Sequence, residues 1–241
     1  MRKLDYNIRL MYNRYTIKNR KETKMIPEIN PKLKEALEWT YCIIIAVILA
    51  LLVKFYIGIP TVVQQVSMNP TLYAGERLLL DRTVRTFHRE LNRGDIVTFE
   101  APSNVHVSSY EADFDYPVAK YENEPQGLWN RFVYYVLETT KESFIKRVIG
   151  LPGEHVKIEN GKVYIKGELL DEPYLAEGVK TEATQGEVFL DIVVPEGTLF
   201  LMGDNRPQST DSRSFGCVPI EKIESRVLIR FWPLNLFGTV D

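Results

Sequence analysis

The chain has 241 residues, 45% hydrophobic, 11% aromatic and 26% charged, enough to bury the core of one medium domain or two small ones. Thirty Lys and Arg against thirty-two Asp and Glu leave a formal net charge of −2, which argues against a general polyanion binder and so against a nucleic-acid partner. Two cysteines cannot make a disulfide scaffold, and fourteen Gly and thirteen Pro without a low-complexity tract exclude collagen-like and linker-like chains.

Charge and hydropathy are spread unevenly. Residues 1–38 carry ten Lys and Arg against five Asp and Glu, and form a basic arm. From Trp39 to Ile59 the chain is apolar except for Lys54. That is about the 20 residues a helix needs to cross roughly 30 Å of hydrocarbon. Trp39, Tyr41 and Tyr56 fall near its ends, as interfacial aromatics do, and the stem of Lys54 is expected to reach the headgroups. Gly58-Ile59-Pro60 offers no A-x-A-like cleavage site, which favours a retained anchor over a removed signal peptide. The basic excess before the span predicts a single pass through the cell membrane, with the N-terminus in the cytoplasm and residues 60–241 outside. Cys42, inside the span, and Cys217, near the other end of the chain, read as small apolar residues and not as a pair.

Beyond the span, strand signals dominate. Short apolar or alternating runs occupy 77–81, 95–99, 144–149, 155–159, 162–166, 188–194, 198–202 and 227–231. Asn160-Gly161, between two such runs, predicts a hairpin with a type I′ turn. The pattern predicts a mostly β fold, an antiparallel sandwich or barrel. Residues 60–241 are thus one β-rich domain, interrupted by an insertion at 103–142 and containing a hairpin-rich subdomain at about 154–198. The insertion begins acidic, with Glu111, Asp113, Asp115, Glu122 and Glu124, and ends aromatic, with Trp129, Phe132, Tyr134 and Tyr135. It reads either as a packed surface segment or as a patch resting on the outer leaflet.

His88, His106 and His155 are scattered singly, the cysteines have no zinc-ligand spacing, and no phosphate-cradling Gly-Lys loop occurs. No metal and no cofactor are expected. Ser67, just beyond the span, and Lys146, flanked by apolar residues, stand out instead. A serine needs a base to become a nucleophile, and a desolvated lysine can serve as one. On an alternating strand Lys146 shares a face with Phe144 and Val148 while Arg147 points the other way.

Four stretches resemble, in order, the four boxes of the type I signal peptidases: Ser67-Met-Asn-Pro-Thr-Leu72, Arg93-Gly-Asp-Ile-Val-Thr-Phe99, Phe144-Ile-Lys-Arg-Val-Ile-Gly-Leu-Pro-Gly153 and Gly203-Asp-Asn-Arg-Pro-Gln-Ser-Thr-Asp-Ser-Arg-Ser-Phe-Gly216. The resemblance implies the β-sheet catalytic domain of that family behind one transmembrane helix. It implies a serine endopeptidase that cuts signal peptides from exported preproteins after small residues, through an acyl-enzyme. Ser67 would be the nucleophile, Lys146 the general base, and Ser209 the residue that orients the lysine. Arg147, Asp204, Arg206, Asp211 and Arg213 would form a charged scaffold. Met68, Leu72, Phe144 and Ile145 would line apolar pockets for the first and third residues before the cut, and a strand edge beside Lys146 would pair with the extended substrate. The Ser67 N–H would supply one oxyanion donor. Gln65 stands where the family often has Ser or Gly, and its amide is the candidate second donor. The implied partners are preproteins with A-x-A-like sites, the lipid bilayer and, as a candidate, a protein translocon.

Overall fold

The computed structural model describes residues 30–121, 125–183 and 186–240. The basic arm before Asn30, and Glu122 and Glu124 of the acidic stretch, lie outside these residues. Helix α1 runs from Pro31 to Tyr56. Asn30 Oδ1 accepts the Lys32 N–H at 3.0 Å, and Pro31 fills the first helical position, where its missing N–H costs nothing. No residue of α1 is buried. Among the described residues it is the one helix long and apolar enough to cross a membrane.

The helix is displaced from the expected 39–59. It starts earlier and ends at Tyr56, because Gly58–Val62 leaves it as strand β1 and pairs antiparallel with β2 (Arg77–Asp81). Pro60 cannot donate within a helix but is tolerated on an edge strand. Gly58 approaches β2 so closely that a Cβ there would sit 2.7 Å from the Leu80 carbonyl oxygen. Lys54, expected to reach the headgroups, finds partners within the protein: its Nζ donates to the carbonyls of Val136 at 3.3 Å and Leu137 at 2.9 Å.

The remaining strands are β3 (Ile96–Glu100), β4 (Ser143–Gly150), β5 (His155–Glu159), β6 (Lys162–Ile165), β7 (Glu168–Leu169), β8 (Asp191–Val193), β9 (Thr198–Met202), β10 (Val218–Pro219) and β11 (Ile223–Trp232). They form two sheets with antiparallel pairing between neighbours. One has seven strands in the order β1-β2-β11-β3-β4-β9-β10, and the other four in the order β7-β6-β5-β8. Asn160 and Gly161 turn between β5 and β6 with φ of 53° and 75°, as a type I′ turn requires.

Two strands differ from their sequence expectation for legible reasons. β11 is twice as long as the apolar run at 227–231 suggests, since its first half is polar but internally satisfied. Ser225 Oγ bonds Thr98 Oγ1 at 2.5 Å, and Glu224 pairs with Lys141 at 2.5 Å. β8 is shorter than 188–194, because the N–H groups of Val188 and Phe189 turn away to the Arg213 carbonyl. Within 103–142, a short helix at Leu128–Phe132 continues as a π-helical turn over Val133–Leu137. Leu128 and Trp129 are exposed there, whereas the Tyr134 hydroxyl donates to Glu100 Oε1 at 3.0 Å. The segment is therefore neither wholly packed nor wholly a surface patch.

Three apolar clusters fill the β-rich unit. Val156, Val163, Ile192 and Phe200 lie in the first, Val97, Phe99, Leu201 and Phe215 in the second, and Met68, Leu72, Leu78 and Ile96 in the third. Cys217 belongs to the first, and burial pushes its thiol up to about 12, so it remains a small apolar residue at neutral pH.

Candidate active site

β4 positions the site. Its residues 143–147 pair with β3, but β9 takes up pairing on the other side only from Arg147 onward. The edge at Ser143–Lys146 is therefore open toward the loop that follows β1. Lys146 is 1% exposed and Ser67, on that loop, 5%. Lys146 Nζ lies 2.8 Å from Ser67 Oγ and 3.1 Å from the Ile145 carbonyl oxygen, with the Phe144 ring centroid 5.5 Å away. Among the described residues no carboxylate touches the ammonium. Burial brings its pKa down to about 8; the more distant charges of Asp211 and Asp204 pull it up and Arg213 pushes it down. A large fraction of the lysine is then neutral at mildly alkaline pH, with its lone pair beside a serine hydroxyl.

The serine loop is clamped by the chain at 203–209. Asn205 N donates to the Ser67 carbonyl at 3.0 Å, and Asn205 Nδ2 to the Val66 carbonyl at 3.1 Å. Gly203 makes this approach possible, since a Cβ there would collide with Ser209 Oγ and the Ser67 carbonyl oxygen. Among the described residues the Ser67 N–H donates to no protein group.

The other face of β4 carries a different chemistry. Arg147, 2% exposed, makes a bidentate pair with Asp204 at 2.9 and 2.8 Å, and donates to the Gly94 carbonyl at 2.9 Å. Thr71 Oγ1 donates to the same carboxylate at 2.5 Å, and the Arg147 guanidinium stacks 4.0 Å from the Tyr174 ring centroid. Arg213 holds Asp211 through two bonds of 2.8 Å and meets Glu187 at 2.9 Å. Burial works to raise the Asp211 carboxyl, but the Arg213 charge and the hydrogen bonds around it win and hold it below the usual carboxylate range. Arg206 pairs with Glu172 and donates to the Gly203 carbonyl at 3.1 Å. These buried charges are compensated by fork-shaped contacts, the arrangement in which arginine tolerates burial.

The remaining residues singled out in the sequence fall unevenly around Ser67 and Lys146. Ser209 is buried next to Gly203 but makes no hydrogen bond to Lys146; its Oγ lacks a partner of ordinary geometry, although it lies near enough to Asp211 to help hold that carboxyl ionised. Met68 and Leu72 are fully buried in the third apolar cluster, with Ile145 packed against it. Phe144 packs on the second cluster. Gln65 is exposed and lines a groove of about 620 Å³ together with Val63, Ser143 and Ile145. Sequence reading gave no role to Asn205, Thr71 or Val63. The first two lie inside the boxes already quoted, so their position was a signal, but which backbone they reach is a long-range fact.

The chain matches the family described as "Signal peptidase, peptidase S26" over residues 36–232. It is 34% identical to signal peptidase I of Bacillus licheniformis over 210 residues, covering 85% of this chain and 92% of that protein. It is also 34% identical to signal peptidase I S of Bacillus subtilis over 210 residues, covering 85% and 93%. A crystal structure of a signal peptidase I from Enterococcus faecalis is 28% identical, with a TM-score of 0.37, covering 58% of this chain and 97% of that one. With a family match across most of its length, an antiparallel β-rich domain behind an apolar helix, and relatives matched nearly end to end, the chain belongs to the signal peptidase I family of S26 peptidases.

Proposed function

We propose that the protein is a membrane-anchored endopeptidase that removes signal peptides from exported preproteins after small residues, using Ser67 and Lys146. The observation that carries this is the 2.8 Å contact between Ser67 Oγ and a lysine buried without a carboxylate partner. Neutral Lys146 takes the proton from Ser67 Oγ as the oxygen attacks the scissile carbonyl carbon. The free Ser67 N–H faces the developing oxyanion, and Gln65 is the candidate second donor. Collapse expels the mature chain's amine, which takes the proton from Lys146 and leaves an ester on Ser67. Lys146 then deprotonates a water that attacks the ester, returning Ser67 and releasing the signal peptide.

Substrate pairs as an extended strand along the open edge at Ser143–Ile145, with a small side chain against Ile145; Met68 and Leu72, fully buried, do not line the surface but close the core on which Ile145 packs, so that a larger side chain collides. The paired Arg147, Asp204, Arg206, Asp211 and Arg213 hold the loop at 203–213 against Ser67, with Ser209 packed beside Gly203 and Asp211 in that loop and not on the lysine. Helix α1 anchors the chain in a single pass, N-terminus cytoplasmic and residues 60–241 outside, where the substrate's own apolar segment delivers the cleavage site.

Incubating the purified protein in detergent with a preprotein tests this, the cut being located by mass spectrometry. A single cut after an A-x-A-like sequence, absent with Ser67→Ala, is expected. Cleavage that survives Ser67→Ala removes the dyad assignment.

A further inference from the structure

The groove beside the dyad changes character along its length. Around Gln65 and Ile145 it is formed by the open edge and an apolar floor, whereas its other end is lined by Arg82 and Glu138. Arg82, just after β2, is 4% exposed. Its Nη2 bonds Glu138 Oε2 at 2.7 Å, yet among the described residues Arg82 Nε and Nη1 and Glu138 Oε1 have no hydrogen-bond partner. Lys54 approaches Glu138 Oε2 at 3.6 Å and leaves Oε1 free. Buried guanidinium N–H groups and a carboxylate oxygen are costly to leave unmade, so a group that completes them gains what the free protein lacks.

A free guanidinium N–H beside a free carboxylate oxygen fits an uncharged group that both accepts and donates, a hydroxyl or a carboxamide. A charged side chain gains nothing further. Lys54, Arg82 and Lys141 are balanced by Glu138, Glu142 and Glu224 in the same lining. Residues 59–65 along one wall span about 20 Å at roughly 3.3 Å per extended residue. A substrate strand beside them reaches the polar end about five to seven residues before the cut.

We propose that Arg82 and Glu138 form a polar subsite that reads a Ser, Thr, Asn or Gln side chain of the substrate about five to seven residues before the scissile bond. This rests on the groove being the substrate site of the proposed peptidase. The test uses the full chain in detergent and matched preproteins carrying Gln or Leu at each position roughly four to eight residues before the cut. At one position kcat/KM is expected to favour Gln by about tenfold, the order of one hydrogen bond to a charged group. Arg82→Met with Glu138→Met removes both charges together, so that neither is stranded in the interior; the Gln-to-Leu ratio should fall to about one.

Equal cleavage of the Gln and Leu substrates at every position means that water completes these groups, and overturns the proposal. So does a uniform loss on both substrates in the double variant at an unchanged Tm, which means that the groove holds main chain only. A protein with no Ser67-dependent cleavage of any preprotein fails the peptidase reading instead. Binding of the same Gln and Leu peptides to Ser67→Ala then decides the subsite by the same ratio.

Discussion

Lys146 and Arg147 are consecutive residues on one strand, both almost fully buried, and they have opposite fates. Lys146 faces a hydroxyl and a carbonyl oxygen, and burial pushes it toward neutrality, to about 8. Arg147 faces Asp204 through two short bonds, a carbonyl and an aromatic ring, and remains a compensated cation. The difference shows that burial alone does not make a base. A cation that can lose its proton moves toward neutrality when it is desolvated without a carboxylate; on the same strand's other face a cation that cannot lose its proton is held as an ion pair.

The comparison breaks most sharply at the dyad. Ser67→Ala and Lys146→Ala are each expected to lower cleavage by about 10⁴-fold or more, the scale on which nucleophile and base act as a unit; preprotein processing measured by gel and mass spectrometry checks it. Substantial activity in Lys146→Ala would make it as much scaffold as its neighbour.

On the scaffold face the expected effect is on folding. Asp204→Asn strands Arg147 and should cost about 3–5 kcal/mol in a denaturant titration at neutral pH, whereas Arg147→Met combined with Asp204→Leu should cost far less, because no lone charge remains. If the two variants lose equal stability, the pair is not compensated as its geometry says.

Lys146→Met should do the reverse of Asp204→Asn. The folded pKa of Lys146 lies below its unfolded value, so between about 8 and the ordinary lysine range the unfolded chain binds the extra proton. Stability therefore rises with pH across that window, and the penalty of charging the buried lysine is fully present below about 8. That penalty is on the order of 3 kcal/mol. Lys146→Met is expected to be inactive yet more stable at pH 6, with the gain fading as pH rises above 8. Unfolding curves at several pH values read the sign directly.

The smallest expected effect is the rate profile. Below a pKa of about 8 the neutral fraction of Lys146 drops about tenfold per pH unit, and kcat/KM should follow it, levelling above pH 9. A profile flat from pH 6 to 9 would take the base role away from Lys146.

Much of the site was legible before folding because its boxes are contiguous. Ser67, Lys146 and the charged run from Asp204 to Arg213 stand out because they fall in four ordered boxes that resemble those of the type I signal peptidases; residue type and spacing alone leave Lys146 open to a structural reading. The apolar run of α1 was equally plain, but not its end, since Phe55 to Ile59 remains apolar whether it continues a helix or turns into β1. The Asn160-Gly161 hairpin was readable because turn chemistry is local. β11 was half hidden, because a buried polar residue looks like a surface residue until its partner, 127 positions away for Ser225 and Thr98, is known.

The sequence by itself determined the long apolar helix, the strand-rich domain and the ordered boxes that hold Ser67 and Lys146, because periodicity, turn residues and side-chain type are properties of neighbouring positions. Only the tertiary structure decided that Lys146 lacks a carboxylate while Arg147 has one, that Asn205 clamps the backbone of Ser67, and that Arg82 and Glu138 end the groove with free valences. Each of those facts is an electrostatic or hydrogen-bond pairing between distant positions, and a group's charge state follows from what it is buried against.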